Sequence, residues 1–226
     1  MDSARANHIA DFIGRATLVA FFGFIATNQT RGIVAELTNP EGLRFIDLAG
    51  RFANLAFVVL VVGMTIVRLK PIRNAEGFEP RFSALAGTFL SMGMAALPQA
   101  DIGVELGVTA LILIAVGWVL SACVLLWLGR AFSIMAQARR LVTAGPYAIV
   151  RHPLYLCEEV AVLGIVLTHL SIAAVLLLIV QWLFQLRRKT NEETVLRAAF
   201  PEYADYARRT PKVVPRLFVR AGLRQG

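Results

Sequence analysis

Three polar segments in an otherwise apolar chain carry residue types suited to chemistry. The first runs Leu141-Val142-Thr143-Ala144-Gly145-Pro146-Tyr147-Ala148-Ile149-Val150-Arg151-His152-Pro153-Leu154-Tyr155. Gly145-Pro146 marks a turn. His152 precedes a proline, which pushes it out of the α region, and Pro153 suits the first position of a new helix. Arg151 and His152 are thereby expected at a helix N-terminus, where free backbone N–H groups favour a carboxylate or phosphate. The second segment, Arg187-Arg188-Lys189-Thr190-Asn191-Glu192-Glu193, continues a helix out of an apolar run. Arg188 and Glu192 are four apart and share one helix face. The third is Phe200-Pro201-Glu202-Tyr203-Ala204-Asp205-Tyr206, followed by Pro211 and Pro215. Taken singly, each segment has a plainer reading: interfacial Arg and Tyr anchors, stop-transfer charges with an exposed ion pair, and a tail docked on a membrane by its aromatic residues.

The elements that must position these segments are membrane helices. Apolar residues make up 57% of the 226, charged residues 17%, and mean hydropathy is +0.64. A soluble domain carries roughly 25% charged residues, so the expected class is an integral membrane protein. Disorder, a disulfide scaffold and a soluble nucleic-acid binder are excluded. The net charge of +8 reads as basic loops facing anionic lipid. The N-terminus carries Asp2, Asp11 and Arg15 and does not read as a cleavable signal peptide.

A spanning helix needs ~20 mostly apolar residues. Phe12–Thr27, Phe52–Val67, Phe82–Leu97 and Val104–Leu128 each read as one span. Leu154–Leu186 is too long for one, and His169 and Ser171 near its middle read as the turn of a tight hairpin. The expectation is an all-α, polytopic bundle of about six spans with a cytosolic cap. Generic transmembrane helices are expected in 1–128, and the three polar segments fall in 129–226. Basic and non-basic loops alternate: Arg68, Lys70, Arg73 and Arg81; then Asp101 alone; then Arg130, Arg139, Arg140 and Arg151; then the uncharged turn near His169; then the basic tail, which includes Arg216, Arg220 and Arg224. The positive-inside rule puts both termini and all three polar segments on the cytoplasmic side. The loop Asn28–Arg51 falls outside, against the sense of its Arg31, Arg44 and Arg51.

Together and in this order, the segments are more specific. GPYxxVRHPxY, a hydrophobic hairpin, Arg-x-x-x-Glu-Glu, FPEYADY and a terminal Val-x-Pro resemble the isoprenylcysteine carboxyl methyltransferase family and its relatives, the phospholipid N-methyltransferases. The resemblance covers Leu128 to Leu217, with Leu128-Gly129-Arg130-Ala131-Phe132-Ser133 fitting the family's entry to this region. It implies a cytosol-facing pocket for S-adenosylmethionine and a lipophilic acceptor, small or lipidated, reached from the bilayer. By the same resemblance Gln137, Arg139, Arg140, Leu141, Val142, Tyr147, His152, Pro153, Leu154 and Tyr155 match cofactor-contacting positions. Glu192 matches a cofactor-binding glutamate, and Arg188 an arginine beside the substrate and the transferred methyl. The chain departs from the family's prenyl-protein enzyme in lacking an insertion between Gln137 and Arg139.

Physical chemistry runs parallel to the resemblance. Methyl transfer from a sulfonium asks the protein for positioning and electrostatics. Arg151 and His152 at the helix N-terminus can hold the cofactor carboxylate, and Glu192 can accept from its ammonium or hydroxyls. A carboxylate acceptor needs no base, and Arg188 would orient it. An amine acceptor must lose a proton, with Glu193 or a lipid phosphate as the helper. A lipid amine, a prenyl-like carboxylate and a small hydrophobic thiol or selenol are all open. Glu158 and Glu159 lie just inside an apolar span, where carboxylates are expensive, facing either the pocket or the interface.

No two glycines are separated by one residue, which excludes the Rossmann fingerprint and the glycine loop of soluble methyltransferases. Cys123 and Cys157 are the only cysteines and His8, His152 and His169 are scattered, so no metal site is expected. Two rival readings remain. One is an NADPH-dependent membrane reductase of the sterol-reductase type, similar around RHP-x-Tyr but usually with Asn where Leu154 stands. The other is a non-enzymatic transporter or structural membrane protein.

Overall fold

The computed structural model describes the backbone of residues 2–38 and 45–215. Arg44, Arg216, Leu217, Arg220 and Arg224, which the topology and family readings drew on, lie outside the described residues. The fold is all-α. Its helices are α1 (Asp2–Thr38), α2 (Phe45–Val67), α3 (Glu79–Met94), α4 (Gly103–Leu128), α5 (Pro146–Ile149), α6 (Pro153–Thr168), α7 (Ile172–Ala199) and α8 (Tyr203–Arg209).

Among the described residues two stretches, Leu48–Val67 and Gly103–Ala131, are long and apolar enough by themselves to cross a membrane. The helices α3 and α6 have 16 residues each, which at 1.5 Å per residue is about 24 Å and short of a ~30 Å hydrocarbon core. The expected hairpin is present. Helix α6 ends at Thr168 and α7 starts at Ile172, with the Ser171 hydroxyl accepting from the Ala174 N–H at 3.1 Å as an N-cap.

Helix α1 differs from expectation. It continues past Thr27 to Thr38, so residues 28–38 are helix rather than loop. Its threonines hide their polarity: Thr27, Thr30 and Thr38 donate their hydroxyls to the carbonyls of Gly23, Ala26 and Val34 at 2.8–3.0 Å. Such back-bonding lets threonine sit inside a helix.

Packing concentrates where the site will be. One apolar core joins Leu18 and Phe22 of α1, Phe57, Val58 and Val61 of α2, Val124 and Leu125 of α4, and Phe132, Ile134 and Leu154 beyond it. Helices α4 and α6 touch backbone to backbone. A Cβ on Gly117 would overlap the main chain of Ala161, so small residues permit this approach. Many large apolar side chains on the outer faces of α2, α4, α6 and α7 are exposed, among them Val59, Val116, Val119, Leu163, Leu176 and Leu183. In a membrane helix that outward apolar face meets lipid.

The polar segments lie at one end of the bundle. A two-residue antiparallel ladder, β1 (Arg73–Asn74) with β2 (Gln137–Ala138), ties the α2–α3 connection to the segment after α4. In its register Asn74 faces Gln137, whose side-chain amide donates to Asn74 Oδ1 at 2.8 Å. The tail returns to the same place. Arg151 N–H donates to Pro211 O at 2.9 Å and His152 N–H to Lys212 O at 3.2 Å.

Candidate active site

Helix α7 supplies one wall of the site. Gln181, Gln185, Arg188 and Glu192 follow at intervals of four, three and four residues, the spacing of a single helix face. Gln181, Gln185 and Arg188 are buried. The opposite wall begins at His152, which at φ −127° and ψ 58° is outside the α region, as a residue before proline should be, though not fully extended. The turn ahead of it rests on Gly145, whose φ of +60° falls in the left-handed region, and a Cβ there would overlap the Trp127 ring. Only glycine meets both conditions.

Between these walls lies a cavity lined by Leu128, Phe132, Gln137, Arg139, Arg140, Leu141, Val142, Tyr147, Arg151, His152, Leu154, Tyr155, Glu158, Arg188, Glu192, Leu196, Tyr203 and Tyr206, with neighbours. Almost every candidate from the sequence is therefore brought to one place, although the residues come from stretches more than 50 positions apart. Two are not among its lining residues. Pro153 opens α6, and Glu193 faces the other way. Sequence reasoning missed Glu158 as a lining residue of definite orientation, and it left Leu196, Tyr203 and Tyr206 without a site role. The FPEYADY motif was the available signal for the two tyrosines.

Glu192 and Glu193 are adjacent but serve different surroundings. Glu192 accepts a very short hydrogen bond from the Tyr155 hydroxyl and lies 3.8 Å from Arg188 Nε. Glu193 Oε1 lies 2.9 Å from His152 Nε2, and its Oε2 lies 3.1 Å from Arg151 and 3.7 Å from Arg197. Burial opposes ionisation of Glu193, but the His152 hydrogen bond and the charges of His152, Arg151 and Lys212 outweigh it and hold the carboxyl below its usual range.

Arg151 and His152 line the cavity and are also engaged elsewhere. Their backbone N–H groups are taken by Pro211 and Lys212, and their side chains are paired with Glu193. Arg140 differs: it is exposed, lines the cavity and has no hydrogen-bond or ion-pair partner among the described residues. Gln137 and Arg139 line the cavity but also brace it. Gln137 Oε1 accepts from Ser133 at 2.8 Å and from Arg139, which in turn donates to Leu69 O. Tyr206 closes the far side by donating to Tyr147 O at 2.7 Å. Burial, followed by the nearby Glu192 charge, pushes the Tyr147 phenol far above its ordinary value, so it is a neutral donor.

A second cavity lies deeper in the bundle, among α1, α2, α3, α4, α6 and α7. Phe22, Phe57, Val58, Val61, Met92, Trp118, Val162 and Ile165 give it apolar walls, and Gln29, Asn54, Thr88, Ser91, Gln181 and Gln185 supply polar ones. Phe132, Glu158 and Arg188 line both cavities and form the junction. Arg188 is fixed there. It donates to Ile134 O at 2.9 Å and Thr88 Oγ1 at 3.3 Å, and its guanidinium lies 4.9 Å over the Tyr155 ring. Among the described residues, no group of three or more His, Cys, Asp or Glu is placed to hold a metal ion.

Residues 106–203 match the phospholipid methyltransferase family. That stretch runs from α4 to the start of α8 and builds both walls of the first cavity. The chain is similar to the cobalt-zinc-cadmium resistance protein CzcN of Cupriavidus metallidurans, 44% identical over 84 residues, or 36% of this chain and 38% of that one. It is similar to the nickel-cobalt-cadmium resistance protein NccN of Alcaligenes xylosoxydans xylosoxydans, 40% identical over 83 residues, again 36% and 38%. Protein-S-isoprenylcysteine O-methyltransferase B of Arabidopsis thaliana is 34% identical over 112 residues, 46% of this chain and 57% of that one. The chain thus spans less than two thirds of the length of each of these relatives.

Proposed function

We propose that the chain is an integral membrane methyltransferase that takes S-adenosylmethionine in the first cavity and a lipophilic acceptor in the second. The observation that carries this reading is the junction. A polar cavity at one end of the bundle meets a largely apolar one inside it, and Arg188 and Glu158 line both.

The lining suits the cofactor's chemistry. Glu192, held by Tyr155, is an acceptor for an ammonium or for hydroxyls. Arg140 is a cation at the rim with no partner to give up among the described residues, which favours it for the carboxylate over Arg151 and His152, whose side chains are paired with Glu193. Leu128, Leu141, Val142, Leu154 and Leu196 form apolar walls suited to a flat base. When bound, S-adenosylmethionine supplies an electrophilic methyl on a sulfonium. Arg188, anchored by Thr88 and Ile134, holds a fixed positive charge where the acceptor's head group arrives, and the surrounding helices exclude water.

In this reading the chain is multi-pass with about six spans. The short α3 and α6 cross a locally thinned bilayer, and both termini and the cofactor cap are cytoplasmic. The basic residues Arg68, Lys70, Arg73, Arg130, Arg139 and Arg140 gather at that end, as the positive-inside rule asks.

Calorimetry with S-adenosylhomocysteine tests the reading directly. Wild-type protein binds it, and Glu192→Ala binds at least tenfold more weakly, since a hydrogen bond to a charged group contributes about 1.5–3 kcal/mol. Binding of NADPH and not of S-adenosylhomocysteine would overturn it.

A further inference from the structure

Among the described residues, Glu158 is the one carboxylate that lines both cavities. It sits in the second turn of α6, and none of its oxygens has a hydrogen-bond or ion-pair partner among the described residues. Arg188 of α7 attracts it, while Glu192 of α7 and Glu159 of its own helix oppose its charge. The other titratable groups facing it are Tyr147, Tyr155 and Cys157. In the same deep cavity, Gln181 and Gln185 are 1% and 3% exposed, and the Oε1 of each has no donor. The orientation of Gln181 is set, because its amide N–H donates to Glu159 Oε1 at 3.0 Å. Buried unpaired carbonyls are costly. The lining of the deep cavity also carries donors, Arg188 and the side-chain amides of Gln29 and Asn54, and among the described residues Glu158 is its one carboxylate.

We infer that Glu158 is the proton-accepting residue of the reaction, and that the acceptor reaches the junction as a protic head group, an amine or a thiol, rather than as a carboxylate. This rests on the methyl-transfer reading above. A carboxylate at the junction would sit beside the unpaired Glu158 carboxylate, whereas a protic head group donates to it. The acceptor's nitrogen or sulfur lone pair forms the new bond to the methyl carbon as the donor's carbon–sulfur bond breaks. The breaking bond's electron pair stays on sulfur as a neutral thioether, and the acceptor's proton passes to a Glu158 oxygen. Glu159 is a positioning residue that acts through Gln181.

The test uses the purified full chain with methyl-labelled S-adenosylmethionine and a membrane lipid extract. Label stable to mild alkali is expected, because N- and S-methyl groups survive it, whereas a carboxyl methyl ester releases labelled methanol. Alkali-labile label would overturn the inference and leave the methyltransferase reading standing. No label in any fraction counts against both, and S-adenosylhomocysteine binding then tells whether the cofactor half survives. Glu158→Gln keeps the shape and removes the base. Its affinity for S-adenosylhomocysteine should stay within about threefold of wild type, while transfer at neutral pH falls about 100-fold, the lower range for general-base catalysis. Raising the pH should restore its rate as solvent takes the proton, and Glu158→Asp should retain part of it. In the absence of cofactor, dodecylamine should raise the melting temperature of wild type more than that of Glu158→Gln, and dodecanoate should not stabilise either. Normal neutral-pH transfer by Glu158→Gln, or equal stabilisation by dodecanoate, would sink the assignment.

Discussion

His152 Nε2 lies 2.9 Å from Glu193 Oε1, joining residues 41 positions apart at the point where α6 begins and α7 leaves the bundle. Both side chains are buried, and Arg151 approaches the same carboxylate at 3.1 Å. The pair clamps the two arms of the hairpin and the returning tail into one unit. It shapes the cofactor cavity from behind.

This clamp predicts a pH dependence of stability. The Glu193 carboxyl is held below its ordinary value in the folded chain. A carboxylate with a depressed folded pKa contributes stability that is present above the unfolded value of about 4.3 and is lost as pH falls through the folded one. Thermal unfolding in detergent should therefore show a melting temperature that drops below about pH 4.3. Glu193→Gln should lie lower than wild type at pH 7, and the gap should narrow in acid. An unchanged gap from pH 7 to 3 would remove Glu193 from the clamp.

The clamp also shows what could be read from the chain and what could not. Polar residues in an apolar chain are costly, so the segments holding Tyr147, Arg151, His152, Arg188 and Glu192 stood out, while Arg139–Val142 and Leu154 came from the family resemblance, and the structure brings these residues to one cavity. The helical hairpin followed from the polar turn at His169 and Ser171. The division of labour between Glu192 and Glu193 was not legible. Neighbours on a helix point about 100° apart, and only the placement of the tail decides which meets a cavity. The tail's capture of the Arg151 and His152 N–H groups is likewise a long-range contact with no local signature. The extension of α1 was hidden because Thr27, Thr30 and Thr38 satisfy their own hydroxyls.

Arg140 and Arg151 should separate binding from architecture. Arg140 is exposed at the rim and without a partner among the described residues, whereas Arg151 is paired with Glu193. Arg140→Ala should weaken S-adenosylhomocysteine binding about tenfold, the loss of one charge-assisted hydrogen bond, with an unchanged melting temperature. Arg151→Ala should lower the melting temperature first. Calorimetry and thermal unfolding on the two variants check this, and the reverse pattern would reassign the cofactor carboxylate to Arg151.

The turn at Gly145 should tolerate no side chain. Its φ of +60° disfavours any L-residue, and a Cβ would meet Trp127. Alanine where φ is positive destabilises by more than about 1 kcal/mol. Gly145→Ala should lower the melting temperature by several degrees and weaken cofactor binding, because Tyr147 follows directly. Wild-type values for both would show that the turn is not fixed.

Arg188 should separate turnover from cofactor binding. It lies one helical turn before Glu192, lines both cavities, and is held by Ile134 O and Thr88 Oγ1. A lysine offers a point charge on a flexible stem and cannot make both anchoring bonds while keeping a planar face over Tyr155. Arg188→Lys should therefore retain a positive charge but lose its fixed placement. A preorganised donor at the reacting centre contributes about 3 kcal/mol, roughly a hundredfold in rate. Such a loss lowers kcat and kcat/KM together when the interaction is made mainly in the transition state. Affinity for S-adenosylhomocysteine should change by less than about threefold, since Glu192 keeps its bond from Tyr155. Steady-state kinetics alongside calorimetry distinguish the outcomes. Normal turnover by Arg188→Lys would make Arg188 an anchor of the helix end and move the acceptor's head group elsewhere in the junction.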